Sequence, residues 1–343
     1  VVGSGSTRAN LTAFGANQYQ GQPENLKLYF SVQIVFLKAG SLLGRSISPI
    51  LREDVKCFGM DSCYPLAYGL PAIAMLIALI VIVCGKSFYI HKPPTENIFA
   101  KVFGCIIYAI KKNFKEGREG GHWLDSAREK YDQELLDAVK KIMRILIIFI
   151  PIPFYWAVYM QQGSRWIFQA TRMNGDLGWY TIKPDQMIAL NPIFAIILMP
   201  ACNYIFFPFM SKLRFNSLLH RIIVGGFLCC IAFTIAIFIE IKIKNDFVTI
   251  LWLFPQFAVL ALSENFLFTS LLNFAYAEAP SNMKSVMTAC VFVTIALGNF
   301  VIIFISGFKL FDSQVIEFAF FITLLFLDLI VLIILTIKLK FEN

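Results

Sequence analysis

Glu264 stands near the middle of the apolar run ALSENFLF, where an ionised side chain has no water to solvate it. A carboxylate at that depth can grip a cationic group, carry a proton or pair with a buried base; the plainer alternative is a structural ion pair between helices. Lys38 lies inside another apolar run, 29–51, too deep for its stem to reach the membrane surface, so it is expected to face a cavity or a partner rather than lipid. Asp328, in 316–338, has no polar company and is expected to make a simple polar contact to a neighbouring helix. Trp166, in Gln161-Gln162-Gly163-Ser164-Arg165-Trp166, fits an aromatic belt at the outer interface, whereas Trp156 lies too deep for one.

Other chemistry is thinly represented. The three His (His91, His122 and His220) all fall in loops, and none forms a metal-binding spacing. Gly85-Lys86-Ser87 resembles the end of a phosphate loop but lacks the upstream Gly. No nucleophile is paired with a base, which argues against an enzyme, and no cofactor is implied. The eight Cys include no CxxC; Cys84, Cys202, Cys229, Cys230 and Cys290 lie in apolar runs and read as small hydrophobes. Cys57 and Cys63 share a short polar loop and are either a disulfide, if that loop is extracellular, or two free thiols.

The elements that would position these groups are set by hydropathy. Of 343 residues 58% are hydrophobic, only 15% are charged and 35 are Phe, with a mean hydropathy of +0.68. Soluble domains carry roughly 25% charged residues, so lipid is the solvent this composition fits: an all-α membrane protein. The net charge of +8 is spread through loops between apolar runs, which argues against a nucleic-acid partner. Eight stretches are long enough to cross a bilayer: about 29–51, 65–84, 143–161, 187–208, 221–241, 247–272, 284–306 and 316–338. Pro151 and Pro153 predict a kink in the third and Pro192 one in the fourth.

The Lys- and Arg-rich segment 85–142 is placed in the cytoplasm, with 209–220 and the C-terminal tail, and the Cys57/Cys63 loop outside. Lys242 and Lys244 then fall on the side opposite to the rule. The Asn10-Leu11-Thr12 sequon falls inside, where it is silent. Within 85–142, 97–112 reads as an interfacial helix and 123–142 as an amphipathic helix leading into the third span. The chain therefore divides into a two-helix part and a six-helix part. It opens on Val1 with residues that look internal, so it is expected to be a partial sequence.

Four motifs carry a resemblance. Gly3-Ser4-Gly5 with Phe14-Gly15-Ala16-Asn17-Gln18-Tyr19 is similar to GTGGIKP…FGGDQF; Tyr29-Phe30-Ser31 with Ala39-Gly40-Ser41-Leu42 to FFS…NAGSL; Trp156 with QQGSRW to a seventh helix; and Ala279-Pro280-Ser281-Asn282-Met283-Lys284-Ser285 to the loop before an eleventh. In this order they resemble the proton-coupled oligopeptide transporters of the major facilitator superfamily, animal type. The resemblance implies twelve helices in two bundles, of which this chain would hold the last eight: 1–28 a cytoplasmic loop, 29–84 two helices of the N-terminal bundle, 85–142 a linker, and 143–343 the six-helix C-terminal bundle. It implies proton-coupled symport of di- and tripeptides by a monomer in the lipid bilayer. The plasma membrane is the first expectation and an endolysosomal membrane the alternative.

By the same resemblance Glu264 receives the peptide amino terminus, Trp156, Gln162 and Asn191 line the pocket, and Arg144 serves coupling or gating with Glu264. Cys57 and Cys63 fall in its short external loop, which favours the disulfide. The chain departs from the pattern at Lys38 (for Asn), Ile34 (Tyr), Met160 (Asp), Val291 (Trp), Asn17 (Asp) and Asn203, where the usual partner of Arg144 is Asp. The extra cation Lys38 is expected to bind the peptide carboxylate, or to pair with Glu264 when the site is empty. Two alternatives follow from the departures: transport of another small solute such as nitrate, or a membrane protein that does not transport.

Overall fold

The computed structural model is almost wholly helical and describes residues 23–90, 98–116, 122–213, 217–280, 283–307 and 313–339, with isolated positions elsewhere. Gly3–Gly5, Asn17 and Ser281-Asn282, which carry part of the resemblance, lie outside the described residues. Among those described, six helices are long and apolar enough to cross a membrane, or seven if a bent helix pair is one span. The eighth expected span is α1 (Pro23–Glu53), whose 31 residues suffice to cross. Gln33, Lys38 and Arg45 lower its apolarity.

α2 (Tyr64–Cys84) starts on Pro65, tolerated in a first turn because that N–H has no helical acceptor. α3 (Ile98–Glu116) and a 3₁₀ turn at Trp123–Ala127 form a small polar-side lobe on α4 (Gln133–Phe149). The expected helix over 123–142 is thus two pieces: Asp132 precedes α4, which runs directly into the third span. That span breaks at Ile150-Pro151, bends by 41° and resumes as α5 (Ile152–Tyr159) and α6 (Arg165–Ala170). The proline removes one backbone donor and crowds the preceding turn.

The fourth span bends elsewhere than expected. Pro192 lies in the first turn of α7 (Leu190–Ala201), where it costs no hydrogen bond. The irregularity comes instead at Pro200 and the π turn Cys202–Phe206, before α8 (Phe207–Lys212).

α9 (Leu218–Asn245), α10 (Phe254–Glu278), α11 (Lys284–Gly307) and α12 (Gln314–Leu339) complete the chain. Gly225 sets the α9–α10 contact: a Cβ there would meet Leu267 Cβ at 2.7 Å. The core between these helices is aromatic, with Phe233, Phe257, Phe318 and Phe321 fully buried. Trp166 belongs to it, at 0% exposure, with ring centroids 5.2 Å from Phe233 and 4.9 Å from Phe257. The outer aromatic belt expected for it is therefore wrong; an aromatic at a span end serves packing as readily as an interface. By contrast only 6% of the α2 span is buried within the protein, against 56% of the α10 span.

Polar pins hold one set of helix ends. Arg172 makes a bidentate pair with the fully buried Glu240 at 2.7 and 2.8 Å and also meets Gln314. Lys242, on the unexpected side, lies 3.7 Å from the centroid of the Trp252 ring, and Lys244 donates to Ser313 at 3.2 Å. Cys57 and Cys63 are joined as a disulfide, with Cα atoms 5.2 Å apart.

Candidate functional site

Lys38 and Glu264, 226 residues apart, meet as an ion pair of 2.6 Å, with side chains 16% and 11% exposed. α1 supplies the ammonium and α10 the carboxylate, so one contact ties two helices far apart in the chain. Each charge alone would be costly in this setting, and the pair neutralises both. Glu264 Oε2 has no hydrogen bond of ordinary geometry among the described residues. Tyr159 lies within interaction distance of the same carboxylate.

The α5 wall beside this pair is held by a close helix approach. A Cβ on Gly298 would meet Trp156 Cβ at 2.6 Å and Pro153 O at 2.8 Å, so only glycine lets α11 seat against α5 there. Trp156 is 2% exposed and stands edge-on to Tyr159 and Phe268, with centroids 5.4 and 5.5 Å away. Tyr155 meets Ser263 Oγ at 3.0 Å, and Ser263 donates to Gly225 O at 2.7 Å, which fixes α10 one residue before Glu264.

Several buried polar atoms in this region have no partner among the described residues: Trp156 Nε1, Gln162 Oε1 and Asn191 Nδ2. Gln162 Nε2 donates to Tyr159 O at 3.3 Å, and Tyr159 Oη donates to Asn191 Oδ1 at 3.5 Å. Trp156, Gln162 and Asn191 are thus linked through Tyr159, and Tyr159 links them to Glu264. Buried groups of this kind almost always find a partner, so their unused capacity suits a polar molecule with both donors and acceptors.

The other expected residues lie apart. Arg144 Nη2 donates to Leu339 O at the far end of α12. Asp328 is buried, and among the described residues it has no hydrogen-bond or ion-pair partner, so the expected polar contact is not made. No three His, Cys, Asp or Glu side chains gather as a metal site among the described residues.

Sequence reasoning missed a second set of bridges, between α1 and the segment that leads into α7. Arg52 pairs with Asp185 at 2.9 Å, Lys183 with Asp54 at 2.5 Å and with Glu53 at 3.6 Å, while Arg45 Nη1 donates to Ile188 O at 3.2 Å. The signal was present: Arg52-Glu53-Asp54 closes one helix and Lys183-Pro184-Asp185 opens another, with opposite charges at both ends. Tyr159 was missed for want of any charge to mark it.

Comparison with known proteins agrees with this architecture. Residues 1–313 match the model of the POT family. Solute carrier family 15 member 2 of Homo sapiens is 44% identical over 252 residues, which cover 71% of this chain and 34% of that protein. Solute carrier family 15 member 1 of Mus musculus is 39% identical over 252 residues, 71% of this chain and 36% of that one. The chain thus spans about a third of the length of the relatives it matches. A crystal structure of an auto-inhibited POT family peptide transporter superposes with a TM-score of 0.77 at 20% identity, over 98% of this chain and 75% of that one.

Proposed function

This chain belongs to the POT family, and from that premise we propose that it carries the second-bundle half of a proton-coupled di- and tripeptide symport pathway. α1 and α2 act as two helices of the first bundle, residues 85–142 as the linker, and α4 to α12 as the six-helix second bundle. The observation that carries the reading is the Lys38–Glu264 pair beside buried polar atoms without partners. A small peptide is a zwitterion with amide groups between its charges. Its ammonium would take the place of Lys38 on Glu264, and its carboxylate would take the place of Glu264 on Lys38. Trp156 Nε1 and Asn191 Nδ2 would donate to its carbonyls, and Gln162 Oε1 would accept from an amide N–H.

Such an exchange leaves no buried charge unpaired at either stage, which keeps the empty and loaded states close in energy. A proton arriving on Glu264 in the empty site would release Lys38 and break the tie between α1 and α10, which supports coupling by protons with no further cofactor. The nitrate reading loses ground on the same contact, because Lys38 is already neutralised by Glu264. Arg144, tied to the end of α12, is assigned to gating rather than to binding. The plasma membrane is the proposed location, and a monomer the proposed state.

The test is uptake of a labelled dipeptide into proteoliposomes under an inward proton gradient. E264Q should abolish gradient-driven accumulation. K38N should weaken peptides with a free carboxylate about tenfold while sparing their C-terminal amides, as expected for loss of one charge-assisted contact. Equal affinity of K38N for both peptide types would overturn Lys38's role, and nitrate outcompeting dipeptides would overturn the peptide reading.

A further inference from the structure

The polar-side lobe has two apolar faces, and only one is covered. Cys105 and Ala109 of α3 are fully buried against Leu124 of the 3₁₀ turn and Leu136 and Val139 of α4. Asn113 locks the lobe by donating to Ala109 O and Trp123 O, both at 2.7 Å. Roughly a third of a turn away lies a second stripe, Phe103, Ile107, Ile110 and Phe114, spaced by four, three and four residues and therefore on one face. These side chains are 60%, 50%, 53% and 94% exposed.

We propose that this stripe docks into the cytoplasmic leaflet of the membrane, seated there by anionic lipid headgroups that Lys111 and Lys115 contact. Three observations select this occupant. First, residues 100–115 contain no Asp or Glu, and exposed Lys111 and Lys115 flank the stripe on one side, the arrangement of a helix lying in an anionic interface. Secondly, the depth is right: α3 packs on α4 at Leu136 and Val139, four to seven residues before the apolar stretch that begins at Met143. At 1.5 Å per residue that places the lobe about 6–10 Å below the hydrocarbon edge, at the headgroup level. Thirdly, α3 follows the α2 span and precedes the α4 span, so both of its ends are tethered to the bilayer.

Docking would give the connection between the two-helix and six-helix parts a fixed footing on the membrane, whatever solute the spans carry. A second protein surface is disfavoured by the flanking lysines, which stay solvated beside headgroups but would be desolvated in a tight interface.

Photocrosslinking of the whole chain in nanodiscs tests this. Phe114→benzoylphenylalanine in bilayers mixing phosphatidylcholine and phosphatidylserine should yield lipid adducts enriched in phosphatidylserine above its share of the bilayer. K111Q/K115Q should cut that enrichment up to about tenfold. The same probe at Glu129, exposed on the lobe away from the stripe, should give no lipid adduct. Adducts at 114 to a second copy or to another part of the chain, no adduct at all, or a lipid adduct indifferent to headgroup charge and to K111Q/K115Q would each overturn the proposal.

Discussion

At the scale of single residues, the energetics turn on pairs whose members are worth little apart. Removing one member of Lys38–Glu264 leaves the other charged and largely enclosed, so K38M alone should destabilise by about 3 kcal/mol. The double variant K38M/E264Q should recover most of that, and thermal unfolding in nanodiscs of both singles and the double measures the coupling. Glu240 is a purer case, since it is fully buried against Arg172: R172L should cost about 3–5 kcal/mol. Asp125 on the lobe behaves differently. The hydrogen bond from Lys140, joined by the backbone N–H of His122 and the nearby charge of Arg128, holds its carboxyl below the usual carboxylate range. Its contribution is therefore present above that range and lost as pH falls through the lowered value, so amide protection across Trp123–Ala127, corrected for the intrinsic exchange rate, should hold at neutral pH and drop only in strong acid. The charged residues of the site were legible one by one, because a Lys or Glu inside an apolar run is conspicuous. Their pairing was not, since nothing in local pattern says that α1 will lie against α10.

At the scale of elements, close approaches and breaks place the side chains. G298V would force α11 off α5 through Trp156 and Pro153 O, costing about 1–3 kcal/mol and shifting Trp fluorescence, with no change in any titrating group. The break at Pro151 could be read from sequence because proline has a fixed chemical consequence. The π turn at Cys202–Phe206 could not, because no residue type marks an extra residue in a helical turn. Trp166 was misplaced for a related reason: an apolar ring at the end of a span satisfies both a lipid interface and a protein core, and only the neighbours Phe233 and Phe257 decide.

At the scale of the molecule, the contacts of α1 are graded along its length. Arg52–Asp185 and Lys183–Asp54 close its C-terminal end, and Lys38–Glu264 holds its middle. Loss of these end pairs through D185A/K183A should separate the C-terminal end of α1 from the start of α7, read as a longer spin-label distance between them, at small cost in stability because these pairs are partly exposed. The helical, membrane-spanning character of the chain was visible in hydropathy and charge alone. Which helix ends touch was not, because surface charges pair according to a geometry that only the packed helices define.

The sequence distance between Lys38 and Glu264 carries a consequence for synthesis. Lys38 enters the bilayer with α1, and its partner emerges 226 residues later. At about 5–20 residues per second of chain growth, that is an interval of roughly 10–50 s. A lone Lys at the centre of a helix opposes insertion by roughly 3 kcal/mol, so during biogenesis α1 is only marginally committed to the membrane. That cost stands until α10 arrives, and the bond that later joins the two helices also offsets the penalty of inserting the first.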